Sequence, residues 1–216
     1  MLLHGAAVFS SMNEFPIECR RLEPEAARTL YQEALPDDFP PAELRPFPWI
    51  EALLASGEYR IYQFLRQEQP VAYALLCHAP GQPVWLVDYL AVYASYRGQG
   101  IGSALLESLR LAFADEDALL FEIDDPAFAE DEAELLKRNR RIAFYQRGGV
   151  TDSGVRTCVQ GCEFQIFSLP CRCTLSAEAL ADALDAIYHR LFPASFYEAE
   201  VCFHPPFARS TGHERC

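Results

Sequence analysis

The stretch from residue 84 to residue 109 restricts the fold more than any other part of the sequence. It opens with an apolar run, Val84–Val92, which is long enough for a buried strand. Glycines at positions 98, 100 and 102 follow, and leucines at helical spacing come after them. Glycines let backbone N–H groups converge on one point, and a helix N-terminus adds unpaired donors and a positive dipole end. The sequence therefore predicts a strand, a phosphate-binding loop and a helix, in that order.

The spacing of these glycines distinguishes between kinds of phosphate loop. No Lys-Ser or Lys-Thr pair follows them, as a nucleoside triphosphate loop would require. Ser103 stands where a dinucleotide-binding loop has its third glycine. The pattern that remains, Arg97-x-x-Gly100-x-Gly102, resembles the acetyl-CoA signature of the GNAT family of N-acetyltransferases.

A second segment, residues 139–149, is similar to a helix of the same family in which Phe-Tyr precedes a glycine. The resemblance implies that Tyr145 faces the sulfur of coenzyme A and that Asn139, one position from its usual place, contacts the cofactor. A phenol with a pKa of about 10 stays protonated at neutral pH and can assist a departing thiolate. Packing between helix and sheet is the alternative role for Tyr145, and solvent exposure is the alternative for Asn139.

Periodicity along the chain predicts the element order β-α-α-β-β-β-α-β-α-β-β, which matches the family. The fold class is thus α/β (α+β), with a mixed, mostly antiparallel central sheet splayed between two parallel strands and flanked by helices. We predict an irregular leader at residues 1–14, an acetyltransferase domain at 15–170, and a C-terminal extension at 171–216. The extension is expected to hold one helix, capped by Ser176, and a loose tail. Met12 is an alternative start, because regular patterning begins near Phe15.

The resemblance also implies a mode of cofactor binding. Pantetheine would lie in the gap between the two splayed strands, where an open strand edge offers partners for its amides. The pyrophosphate would rest on the backbone amides of the glycine loop. Acetyl-CoA, a co-substrate used without a metal, is then expected to contact Leu90, Ala91, Val92, Arg97, Gly98, Gln99, Gly100, Ile101, Gly102, Ser103 and Asn139.

Acetyl transfer to an ammonium group also needs a base. Asp88 and Glu122 are carboxylates within apolar strands that should be neighbours, and burial favours proton acceptance by a carboxylate. Backbone or arginine partners for these groups, or a water relay, are the alternatives. His78 could assist, although an ordinary surface histidine accounts for it equally well. An acyl-enzyme at Cys77 is a minor alternative.

The resemblance further implies that the acceptor enters opposite the cofactor, between residues 35–49 and 154–163. Phe39, Phe47 and Trp49 would form a partly apolar wall there, or they would simply fix a proline-rich loop to the core. Small amines, an antibiotic, a polyamine, a protein N-terminus and a lysine all remain open as acceptors.

The net charge and the lengths of the apolar runs restrict the classes of partner that we expect. A net charge of −13 argues against nucleic acid and is compatible with a cationic acceptor, although it also serves solubility. No run of about 18 apolar residues occurs, so we expect no membrane partner and a cytoplasmic location. The expected partner is a small-molecule or peptide amine, and a homodimer stays open.

The eight cysteines match no zinc pattern and are expected to be reduced thiols acting as small hydrophobes. A metal site at Cys171, Cys173 and a histidine is the alternative. The sequence thus favours direct transfer of acetyl from acetyl-CoA to a primary amine. A non-catalytic acyl-CoA-binding sensor module is the competing function, and a zinc-binding interaction domain is a third.

Overall fold

The computed structural model describes residues 17–208, so the predicted leader and the end of the tail lie outside the described residues. Eight strands form one sheet in the order β1-β2-β3-β4-β5-β7-β6-β8. The strands are β1 (Glu18–Arg21), β2 (Tyr59–Arg66), β3 (Gln69–Cys77), β4 (Val84–Val92), β5 (Ala118–Asp124), β6 (Thr151–Val159), β7 (Cys162–Pro170) and β8 (Val201–Phe203).

The helices of the described residues flank this sheet. They are α1 (Pro24–Glu33), α2 (Leu35–Asp38), α3 (Phe47–Ser56), α4 (Ile101–Ala112), α5 (Glu132–Arg147), α6 (Ala177–Leu191) and α7 (Ala194–Glu200). Short 3-10 turns occur at Pro41–Glu43, Ala94–Tyr96 and Pro126–Phe128.

Neighbouring strands are antiparallel except β4 and β5, which are parallel. They pair only from Val84 opposite Ala118 to Val87 opposite Phe121. Beyond that point β4 has no partner on this side among residues 17–208, while β5 continues along β7 to Asp124. The predicted fold class, with a mixed sheet splayed between two parallel strands, is confirmed.

Side chains alternate between the two faces of the sheet and build two cores. One face, with Leu86 and Leu120, is covered by α1, α3 and α6. The opposite face, with Trp85 and Leu119, is covered by α4 and α5. The sheet therefore lies between two separate layers of helices.

The C-terminal extension differs from the prediction. Ser176 does cap a helix, since its side chain accepts a hydrogen bond from the Ala179 N–H. However, α7 and β8 follow that helix, and β8 joins the sheet by pairing with β6. The prediction of only one helix is therefore wrong, because the extension also contains α7 and β8. The predicted helix itself, α6, lies in the core, with Leu184 and Ile187 fully buried.

Candidate active site

A bulge in β4 marks the point where the sheet opens. Leu75 pairs with Tyr89 and Leu76 with Val87, so Asp88 is an extra residue on β4. A bulge bends its strand and redirects the side chain at that position. The carboxylate of Asp88 thus stands at the start of the gap between β4 and β5.

The glycine loop leads from this gap into α4. Gly98 and Gly100 both have a φ of 77°, and Gly100 is the N-cap of α4. Apart from its chain neighbours, no residue from 17 to 208 would lie within 4 Å of a Cβ at either position, so there is space beside the loop. Within residues 17–208, the N–H groups of residues 98–100 have no backbone acceptor. Unpaired donors beside a helix N-terminus fit the phosphates of a coenzyme A thioester.

Gly102 has a packing role in addition to the cofactor contact that its motif predicts. Its φ is ordinary, but a Cβ there would lie 2.8 Å from the ring of Phe144. The glycine therefore allows α4 and α5 to approach closely. Gly148 does the same from the other helix, because its Cβ would lie 2.4 Å from the side chain of Leu106.

Arg97 connects the loop to its surroundings. Its Nε donates to the carbonyl of Val92 at 2.9 Å, and its Nη2 lies 2.5 Å from Asp38 Oδ1. Gln99 donates to the carbonyl of Ser95 at 2.9 Å. Both side chains hold the loop in shape and leave its amides to face outward. The Val92 carbonyl accepts this bond from Arg97, and contact between pantetheine and the backbone of residues 90–92 stays a prediction.

The remaining predicted cofactor contacts lie on three elements: β4, α4 and α5. The strand residues Leu90, Ala91 and Val92 follow the bulge, where β4 has left β5. Ile101 and Ser103 lie in the first turn of α4, with Ile101 buried and Ser103 exposed. Asn139 is exposed on α5, which agrees with the alternative given for it.

Tyr145 lies on α5 and is 5% exposed. Its ring packs at 5.1 Å from that of Phe121, the last β5 residue paired with β4. Tyr145 therefore lies on the sheet face covered by α4 and α5, close to where β4 and β5 separate. It is one helical turn after Arg141 on α5.

A cleft of about 690 Å³ opens on the other side of this point. It is bounded by the segment between α2 and α3, by the β6–β7 turn, by α5 and by the junction of α6 and α7. Asp88 and Glu122 both line it. The two predicted bases are thus brought to one cavity, at the place expected for the acceptor.

Asp88 is tightly held within this cleft. Arg45 contacts both of its oxygens at 3.1–3.2 Å, and the Tyr59 hydroxyl donates to Oδ2 at 2.5 Å. Although burial opposes it, the Asp88 carboxylate keeps the pKa of Arg45 above its usual value. These bonds occupy the lone pairs that a base would use, so the geometry favours a structural role for Asp88.

Glu122 is held differently. It lies on β5 and accepts one hydrogen bond, at 2.5 Å, from the hydroxyl of Tyr188 on α6. Burial raises the pKa of Glu122, and the nearby Asp88 carboxylate acts in the same direction, while the bond from Tyr188 opposes them. A carboxylate with a raised pKa in the wall of a cavity is suited to accept a proton near neutral pH.

The three predicted wall residues are not equivalent. Phe39 and Trp49 line the cleft. Phe47 begins α3, is buried, and packs on Tyr31 with ring centroids 5.0 Å apart, so it belongs to the core. Phe47 is the first residue of α3 and does not line the cleft.

Cys77, the alternative nucleophile, and His78, the alternative proton-transfer residue, do not line the cleft. Cys77 is buried, and burial raises the pKa of its thiol well above the ordinary value. His78 stacks on Trp85 with ring centroids 4.0 Å apart, on the opposite sheet face. Neither arrangement activates a thiolate.

Six cysteines of the described segment are free thiols, and Cys202 is disulfide-bonded, contrary to the expectation for that residue. Among residues 17–208 no group of three or more histidine, cysteine, aspartate or glutamate side chains could hold a metal ion. No helix in this part of the chain has both the length and the apolar character needed to cross a bilayer.

The residues that sequence reasoning missed are those that hold the carboxylates. Arg45 lies in a proline-rich segment and Tyr59 at a strand start, and both reach Asp88 from other elements. Tyr188 carried a signal, since it fell on the apolar stripe of α6, but that stripe predicts only burial. Nothing in the spacing revealed that its hydroxyl would meet Glu122.

Splayed parallel strands, a glycine loop at a helix N-terminus and a buried carboxylate define an acyl-CoA acyltransferase architecture. The family model for the acetyltransferase (GNAT) family matches residues 25–148, more than half of the chain. The chain therefore belongs to the GNAT family, and it is an acetyltransferase by family.

Solved structures support the same fold. A Bacteroides thetaiotaomicron protein described as a GNAT-family acetyltransferase aligns with a TM-score of 0.61 and 18% identity, covering 83% of this chain and 98% of that one. The spermidine N-acetyltransferase of Vibrio cholerae, in complex with CoA and spermine, aligns with a TM-score of 0.52 and 9% identity, covering 72% and 95%. These identities establish the fold alone. A search of curated protein sequences gives no match.

Proposed function

We propose that this protein is an N-acetyltransferase that moves an acetyl group from acetyl-CoA directly to a primary amine. The observation that carries the proposal is Glu122, a carboxylate with a raised pKa in the wall of a cleft that meets the gap between β4 and β5. Acetyl-CoA supplies the activated acyl group, and the glycine loop and α4 N-terminus would hold its phosphates.

Glu122 takes the proton that the acceptor ammonium must lose before its nitrogen can attack. A backbone amide of β4 near Val92 polarises the acetyl oxygen as the new C–N bond forms. The C–S bond then breaks and its electron pair stays on sulfur, where the Tyr145 hydroxyl donates a hydrogen bond or a proton. As the C–S bond breaks, the nitrogen loses its second proton, which reaches the departing sulfur by way of the Tyr145 hydroxyl. The products are the amide, the free thiol and the proton held by Glu122, which returns to solvent.

Release of free thiol from acetyl-CoA, followed across a panel of primary amines, tests this function. The proposal expects amine-dependent release that requires Glu122. Release at the level of buffer with every amine, from protein that binds coenzyme A, would instead favour a sensor module.

Tyr188→Phe tests how Glu122 is tuned. In the parent, the hydrogen bond from Tyr188 favours the ionised carboxylate of Glu122. Removing this bond should raise the pKa of Glu122 and move the acidic limb of kcat/KM to higher pH. Hydrogen bonds to charged groups contribute about 1.5–3 kcal/mol, so the rate below the limb should fall about tenfold. The rate on the alkaline plateau should change much less. A purely structural defect would instead lower the rate at every pH.

Tyr197→Phe is the matched control for this experiment. Tyr197 is another buried tyrosine of the extension, and its hydroxyl donates to Asp185 rather than to a cleft residue. Its variant should keep the parent pH profile. An unchanged limb in Tyr188→Phe would show that Tyr188 does not tune Glu122.

Tyr145→Phe tests assistance to the leaving thiolate. The ring should keep its packing on Phe121, so the variant is expected to fold and to bind acetyl-CoA as the parent does. We expect kcat to fall about 10²-fold with KM nearly unchanged, since the interaction strengthens as sulfur gains charge. A fall of less than about fivefold would leave Tyr145 as a packing residue.

A further inference from the structure

Aromatic rings from separate segments wall the acceptor cleft. Phe39 follows α2, Trp49 lies on α3 and Phe164 on β7, and each is partly exposed. The C-terminal extension, outside the segment matched by the family model, adds Phe192 and Phe196. These two rings stack with centroids 4.8 Å apart and an interplanar angle of 12°.

Phe164 and Glu122 share one face of the sheet. Phe164 pairs with Asp124 across β5 and β7, and Asp124 lies two residues from Glu122. Side chains of directly paired residues, and of residues two apart on a strand, point to the same face. The Glu122 carboxylate therefore stands beside an aromatic wall.

Most carboxylates of the cleft are already neutralised. Four of those that line it form ion pairs: Asp38 with Arg97, Asp88 with Arg45, Asp124 with Arg141 and Glu134 with Arg138. Of the lining carboxylates described, this leaves Glu122 in the interior and Glu43 on the exposed rim. A polyamine would need a series of free carboxylates at the spacing of its nitrogens, whereas a monoamine needs one.

We propose that the acceptor is a primary monoamine carried on a flat apolar body, whose ring packs against the aromatic wall while its nitrogen reaches Glu122. This inference rests on the proposed function and narrows its substrate class. A cavity of about 690 Å³ has the size of a small-molecule site. Offset or edge-on contacts between aromatic rings add to the free energy of burial.

Calorimetry on the protein loaded with CoA, which cannot react, measures acceptor binding without turnover. The probes are 2-phenylethylamine, ethanolamine and spermidine. The inference expects 2-phenylethylamine to bind at least tenfold more tightly than either of the other two. Equal or tighter binding of spermidine or ethanolamine would overturn it, as would the absence of 2-phenylethylamine binding.

Phe196→Ala identifies the part of the wall that belongs to the extension. Phe196 is partly exposed, so its truncation should leave the fold intact and weaken 2-phenylethylamine binding about tenfold, with ethanolamine unaffected. Phe128→Ala is the matched control: its ring is 56% exposed, lies outside the cleft, and should bind as the parent does. Parent-like affinity in Phe196→Ala would refute the role of the extension.

The outcome separates this inference from the proposed function. If 2-phenylethylamine binds as expected but no amine releases thiol from acetyl-CoA, only the proposed function fails. If amines release thiol but the aromatic amine binds no better than the others, only the substrate class fails.

Discussion

Glu122→Gln is expected to lower kcat/KM about 10³-fold and to remove its acidic limb. The amide is the same size and still accepts the hydrogen bond from Tyr188, so the fold should be preserved. It cannot take a proton from the acceptor ammonium, and general base assistance is typically worth about 10²–10⁴-fold. Coenzyme A affinity should stay unchanged, because Glu122 lines the cleft and lies apart from the glycine loop. The pH dependence of thiol release, with calorimetry of coenzyme A binding, measures both.

Asp88→Asn is the matched comparison. Its carboxylate is held by Arg45 and Tyr59, so this variant should keep the acidic limb and lose stability instead, with the half-buried Arg45 losing its charged partner. If Glu122→Gln keeps the parent limb while Asp88→Asn loses it, the assignment of the base is reversed. If both keep it, a water relay replaces them.

Gly100→Glu is expected to abolish measurable binding of coenzyme A. Gly100 caps α4 with a φ of 77°, and a side chain there would project from a loop whose amides face outward. A carboxylate at that point repels the pyrophosphate and obstructs the approach of its oxygens to the backbone donors. Within the described part of the chain, only Gly100 itself and its two chain neighbours have atoms close to the point that a Cβ would occupy. The variant should therefore fold with only the backbone cost, about 1–3 kcal/mol, of a non-glycine residue at positive φ.

Gly81→Glu controls for that cost. Gly81 has a φ of 79°, also meets nothing within 4 Å, and lies between β3 and β4, away from the loop. It adds the same charge and the same strain, so its melting temperature should fall as in Gly100→Glu while coenzyme A binding stays intact. Unchanged affinity in Gly100→Glu would show that the loop is not the phosphate site.

Local patterns were sufficient for much of the fold. β4 begins and ends at Val84 and Val92 as the apolar run predicts, and Ser176 caps α6 as its residue type predicts. The β6–β7 turn falls at Gln160 and Gly161, which both have positive φ. These features depend on neighbours in sequence, so the sequence carries them directly.

Features that depend on partners distant in sequence could not be predicted from the sequence. β8 is three residues long, and it becomes a strand only because the edge of β6 is available to pair with it. Tyr188 and Arg45 have ordinary sequence surroundings, and their contacts with Glu122 and Asp88 exist only in the assembled fold. The apolar strand pattern located the two carboxylates. Only tertiary contacts show that Asp88 is paired with Arg45 and that Glu122 is able to accept a proton.

The most direct test of the central claim follows the acetyl carbon itself. The protein is incubated with acetyl-CoA labelled with ¹³C at the carbonyl and with a primary amine, and the products are read by NMR. Acetyl transfer predicts an amide carbonyl signal that grows in step with free thiol and is lost in Glu122→Gln. Signal that stays in the thioester, or passes only to acetate, would contradict the assignment of an N-acetyltransferase.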